Sequence, residues 1–151
     1  MGLNCSHGAW DGAYSSFMYW RRMIAKVAGL PPLDLMEGFY CPLDCKHSVP
    51  TLYHGFHTRE PAYGQGSKPY MADIDERLPI KWECLKPSPL LALLNHSDCD
   101  GDIPPDQCGP IAEELSRLVP MIHEEYWKAA TVKFIAGLCK AAEAGEPLLF
   151  R

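Results

Sequence analysis

Apolar residues recur at three- and four-residue steps in three stretches of the chain, and each such stretch predicts a helix. Tyr14, Phe17, Trp20, Ile24 and Val27 line one face between Ala13 and Ala28. Asp11 stands where a carboxylate accepts a first-turn N–H, and Gly29 with Pro31-Pro32 stops the helix. Ile111, Leu115 and Leu118 mark a second helix from Pro105 to Val119, interrupted by Pro120. The longest pattern runs from Glu124 to Ala144, with Trp127, Ala130, Phe134, Leu138 and Ala141 inward and Gly145 then Pro147 closing it. Pro89 to Leu94 reads as a short buried helix or turn, and the apolar tail Pro147 to Phe150 is expected to fold back onto the core.

Between Leu33 and Lys86 the periodicity dissolves into short apolar pieces separated by Gly, Pro and Asp, including EPAYGQGSKPY at 60 to 70. Only LPIKWECL at 78 to 85 and Leu52 to Phe56 alternate as strands do. The fold class that follows is mainly α with a few short strands (α+β). We expect one compact domain, residues 1 to 151, with a long irregular central segment.

Composition narrows this reading without redirecting it. A chain of 151 residues with 47% apolar and 22% charged residues has the size and balance of one globular unit, which argues against wholesale disorder or a fibrous repeat. The longest apolar run, Pro89 to Leu94, falls far below the roughly 18 residues a membrane span needs, and MGLNCSHGAW lacks a basic-then-apolar leader. A cytoplasmic location is the expectation, and no membrane partner is expected. Seven cysteines form an odd set, and Cys84, Cys108 and Cys139 sit in apolar or helical contexts, which favours free thiols over a disulfide framework.

The net charge of −5 is unevenly spread. Residues 95 to 125 carry Asp98, Asp100, Asp102, Asp106, Glu113, Glu114, Glu124 and Glu125 against Arg117 alone. With no basic stripe to neutralise phosphates, generic nucleic-acid binding is disfavoured.

The densest chemistry is NHSDCDGD, from Asn95 to Asp102, where three carboxylates recur at every second position beside His96 and around Gly101. With Gly101 at the sixth position of an EF-hand loop, Asp98 and Asp100 fall at the third and fifth and Ile103 at the eighth. The first position is then His96 and the twelfth Gln107, which supplies no bidentate carboxylate. The box also resembles the first motif of the DHH-family phosphoesterases, His-x-Asp-x-Asp-Gly, with Leu90 to Leu94 as its apolar lead-in. That resemblance implies a divalent metal on His96, Asp98 and Asp100, but the later Asp-His-His of the family is missing. A plainer reading has Asp98 and Asp100 cap the helix that begins near Pro105. Three carboxylates exceed what a cap requires, so their repulsion calls for a cation, a hydrogen-bonding ligand or solvent.

Carboxylates of this kind also accept hydrogen bonds from vicinal hydroxyls, as in dinucleotide-binding proteins. Trp10, Tyr14, Trp20, Tyr40 and Tyr53 are candidates to stack on a base, and Arg21, Arg22 and Lys68 to meet phosphates. Each aromatic has core packing as its alternative. The candidate ligand site is therefore His7, Trp10, Tyr14, Arg21, His96, Asp98, Asp100 and Asp102.

A second constellation, Cys41, Cys45, His54 and His57, offers soft ligands in the structure-poor segment and is a candidate structural zinc site. Zinc there, and magnesium or calcium at the box, are the divalent metals the residues suit. Ser6-His7 has no Gly-x-Ser-x-Gly elbow around it, and GQGSK at 64 to 68 lacks the gap of a phosphate-binding loop.

SHGAWDGAYSSF, LLALLNHSDCDG and FIAGLCKAAEAGEPLLF resemble stretches of small uncharacterised bacterial and bacteriophage proteins. The resemblance implies an accessory protein of bacterial or phage origin and carries no activity with it. The leading expectation is a non-enzymatic binder of a small polar, nucleotide-like ligand. The alternatives are a metal-dependent phosphoesterase using His7, His96, Asp98 and Asp100, and a metal-stabilised structural or interaction protein.

Overall fold

The computed structural model describes residues 2–39, 80–97 and 100–151. The chain opens with β1 (Gly2–Asn4), which pairs antiparallel with β2 (Asp11–Ala13) across residues 5–10, which include a 3-10 turn, Ser6–Gly8. The two strands approach so closely that a Cβ on Gly2 would lie 2.8 Å from the Gly12 carbonyl oxygen. Asp11 is therefore committed to a strand and does not cap the helix that follows. That helix, α1 (Tyr14–Val27), starts from Ala13 without a side-chain cap. Its inward face is the expected one, with Phe17, Trp20 and Ile24 at zero exposure, and it ends at Gly29, which adopts φ +71°.

The strand expected at 78 to 85 does not form over the residues described. Ile80 makes a single parallel bridge to Met36, and the chain then enters a 3-10 turn, Trp82–Cys84. Pairing stops because its partner turns away. Beyond Met36 the backbone folds through Glu37 to Phe39, whose N–H bonds the Met36 carbonyl, and among the described residues no extended neighbour continues the ladder. The candidate strand Leu52 to Phe56 lies outside the described residues.

Three helices follow: α2 (Leu90–Leu94), α3 (Pro105–Leu118) and α4 (Glu125–Ala144). Proline sits at the first position of α3, where no N–H is required, and Cys108, Ile111, Ala112, Leu115 and Leu118 form its buried stripe. Pro120 converts the chain after α3 into a 3-10 turn, Val119–Met121. At the far end of α4, Gly145 turns left-handed (φ +66°), and the N–H groups of Gly145 and Glu146 bond the carbonyls of Ala142 and Ala141. These paired bonds end the helix and aim the tail back at the core. The tail is β4 (Leu148–Phe150), antiparallel to β3 (Gly101–Ile103) with Gly101 opposite Phe150.

Two small antiparallel sheets and four α-helices thus surround one hydrophobic cluster among the described residues. At its centre Trp20 and Phe134 lie 4.6 Å apart between ring centroids, with Trp10, Phe17 and Phe150 packed around them. The Trp20 Nε1 donates to Thr131 Oγ1 at 2.9 Å, which keeps the buried indole N–H satisfied. Residues 5–10 press onto α4 at Gly137, where a Cβ would come within 2.4 Å of the Ala9 Cβ. Arg22 and Asp34 form a buried bidentate ion pair with a shortest contact of 2.6 Å, which fastens the 3-10 turn Leu33–Leu35 to α1. No helix among the described residues is long and apolar enough to cross a membrane.

Candidate functional site

The acidic box lies between α2 and β3, and its foundation is an arginine. Arg21 is on the apolar face of α1, four residues after Phe17 and three before Ile24, and it has no solvent exposure. A guanidinium so placed cannot shed its charge and needs compensation, part of which dipoles and π faces supply. It lies 4.9 Å from the Phe17 ring centroid and 5.4 Å from that of Phe39. Its Nη1 donates to the carbonyl oxygens of Leu94, at 3.4 Å, and of His96. Those carbonyls belong to the last turn of α2 and the first residue of the loop, so Arg21 fixes the loop's base from inside the protein.

His96 holds the other side. Its ring stacks on Phe150 with centroids 4.1 Å apart and planes 28° from parallel. Its Nδ1 lies 2.6 Å from the Ser97 carbonyl oxygen and its Nε2 lies 3.2 Å from that of Asp102. A neutral imidazole donates to one of these oxygens and an imidazolium to both. The contact with Asp102 draws the loop's two ends together, and the pairing of Gly101 with Phe150 completes the closure. Gly101 is required at this position. Its φ is +100°, and a Cβ there would stand 3.2 Å from the His96 ring.

Above this base the carboxylates of Asp100 and Asp102 are exposed, and Ser97 Oγ donates to Asp100 Oδ1 at 2.8 Å. Neither carboxylate caps α3, whose N-cap position is Pro104 without a side-chain hydrogen bond. Asp98 and Cys99 lie outside the described residues. Among the described residues no three His, Cys, Asp or Glu side chains gather closely enough to hold a metal ion. The apolar lead-in Leu90 to Leu94 is helical, which differs from the strand that carries the DHH-type motif.

The other expected ligand residues are elsewhere. Trp10 is buried, 5.1 Å edge-on to Phe17, and Tyr14 packs partly buried against the core. Trp20 is wholly interior and Arg22 is spent on Asp34. His7 adopts a left-handed conformation (φ 56°), and its Nε2 meets Glu146 Oε2 at 3.4 Å. Cys41, Cys45, His54 and His57, with Tyr40, Tyr53 and Lys68, lie outside the described residues. The structure therefore brings Arg21, His96, Asp100 and Asp102 together in one loop and its footing, and places Trp10 in the core beneath.

Thiols near the strands are inert packing groups. Burial pushes the Cys5 thiol up to about 12, and burial likewise raises Cys108, whose Sγ lies 3.6 Å from the Ile103 carbonyl oxygen. Three features of the site escape sequence reasoning. Phe150 is the platform for His96, Gly101 makes room for that ring, and Arg21 is a support and not a surface contact. A signal existed for Arg21 alone, since a cation in the middle of an apolar helix face is destined for burial. No protein-family model, curated protein or solved structure matches the chain, so the chemistry of the site stands on its geometry.

Proposed function

We propose that the protein is a non-enzymatic binder of a small polar, hydroxyl-bearing ligand, nucleotide-like in its vicinal diol, and that Asp100 and Asp102 accept hydrogen bonds from it. The observation that carries this reading is a pair of exposed carboxylates on a loop anchored from below by a buried guanidinium and a stacked histidine. Carboxylates held in advance lose less entropy on binding, so each contact contributes more to affinity than it would on a floppy turn. Hydroxyl recognition suits the arrangement better than base stacking, because Trp10 and Trp20 are committed to the core.

Isothermal titration with ribonucleosides, ribonucleotides and their 2′-deoxy counterparts tests the proposal. The ribose forms should give saturable heat, the deoxy forms much less, and Asp100→Asn with Asp102→Asn should abolish it. Indistinguishable titrations for ribose and deoxyribose ligands would remove the diol from the account. Metal-dependent cleavage of a phosphodiester that is lost in Asp100→Asn would overturn the non-enzymatic reading.

A further inference from the structure

The outward face of α4 does not look like the outward face of α3. On α3 the exposed positions include Asp106, Gln107, Glu113, Ser116 and Arg117, the polar surface of an ordinary amphipathic helix. On α4 they include Tyr126 at 68% exposure, Ala129, Val132 at 51%, Ala136 and Cys139. From Ala129 to Cys139 these residues follow one another at alternating three- and four-residue steps, so they form an apolar seam, closed at its ends by the exposed Glu125 and Glu143, opposite the face that packs on α3 and on residues 6–8. A single exposed apolar residue needs no explanation, whereas five aligned on one face form a patch.

The charges beside the seam identify what it fits. Lys133 and Lys140 are exposed, seven residues apart on the same flank, and take part in no ion pair among the described residues. On the other flank Lys128 has only a 3.9 Å contact to Glu125. We infer that the seam Ala129, Val132, Ala136 and Cys139 is a docking surface for an amphipathic helix of another protein, apolar on its contact face and acidic beside it. A second copy of this chain is disfavoured by the same charges. A parallel pairing sets Lys133 against the other copy's Lys128, and an antiparallel one sets it against Lys140. A lipid surface is a poorer match because the seam is built mainly from alanine, valine and cysteine. Small residues let a second helix backbone come close, while insertion among lipids depends on large aromatic and aliphatic side chains.

The probe is a labelled synthetic helix of about three heptads, with leucine along its seam and glutamate on both flanks, followed by fluorescence anisotropy. Saturable binding to the intact protein is expected. Val132→Glu and the double variant Lys133→Glu, Lys140→Glu should each weaken it at least about tenfold. All three positions are exposed, so circular dichroism should be unchanged. A second peptide with lysine in place of glutamate should prefer the double variant, a reversal that loss of folding cannot mimic. No binding to the intact protein, or binding that both variants leave untouched, would overturn the inference. So would a dimer by sedimentation that Val132→Glu dissolves, or tight binding to phosphatidylserine–phosphatidylcholine vesicles in place of the peptide.

Discussion

Residues 5–10 and residues 96–102 are supported by the same C-terminal strand, β4, but they use that support in opposite ways. In the first segment every side chain with chemistry is turned to holding the fold. The Cys5 thiol is buried while its backbone bridges to Phe150, Ser6 Oγ accepts the Leu149 N–H at 2.9 Å, His7 meets Glu146, Ala9 abuts Gly137 and Trp10 enters the aromatic core. In the second, His96 and the Arg21 beneath it do the holding while Asp100 and Asp102 are left to solvent. Proximity to a shared strand therefore does not make one site of the two segments. The difference is whether side chains are turned inward to hold the fold or left outward to solvent.

Perturbing each segment separately should show this division. Gly137→Val forces a branched side chain into the Ala9 contact and should cost about 3 kcal/mol in urea unfolding. Hydrogen exchange in that variant should accelerate over residues 5–10 and stay near wild type over 96–102. Arg21→Met keeps the bulk of the side chain but strips donors from the Leu94 and His96 carbonyls, an expected loss of about 2 kcal/mol. Its exchange pattern should be the reverse, with the loop loosened and the N-terminal turn quiet. Equal acceleration of both segments in either variant would dissolve the distinction.

Alkaline pH acts on the first segment through Cys5 and on α3 through Cys108, whose thiol burial also raises, so the share of Cys5 is read by substituting it. The folded Cys5 thiol stays protonated up to about 12, whereas in the unfolded chain it ionises near 9.0. The unfolded state then holds fewer protons than the folded one, so stability falls as pH rises through that window, by at most about 1.4 kcal/mol per unit for one thiol. A Cys5→Ala variant should show a flatter decline over the same range. The smallest effect on stability belongs to the second segment. Asp100→Asn and Asp102→Asn should each unfold within about 0.5 kcal/mol of wild type, because both carboxylates face solvent.

What could be read in the sequence follows from which forces are local. The helices were legible because their stripes repeat within one or two turns, and the end of α4 because Gly145 and Pro147 act on the residues beside them. The strands were not, because each is only three residues long, and β3 exists only through a partner far along the chain, β4. Asp11 has the chemistry of a cap, yet pairing with Asn4 claims its backbone first. The alternation at 78 to 85 is genuine, but alternation makes a strand only where an extended neighbour continues. At the site, the Asp and His residues of the box were legible by type and spacing. Their division into outward carboxylates and an inward histidine was not, since it depends on Phe150, some fifty residues away.

The central claim is that Asp100 and Asp102 form a prebuilt acceptor pair for a hydroxyl-bearing ligand. Its most direct test is calorimetric titration of a ribonucleotide into wild type and into the Asp100→Asn, Asp102→Asn double variant, with unfolding midpoints measured alongside. The account predicts saturable heat from wild type and none from a double variant that unfolds at the same denaturant concentration. Wild type that takes up no ribonucleotide, or a double variant that binds it equally well, would contradict the account.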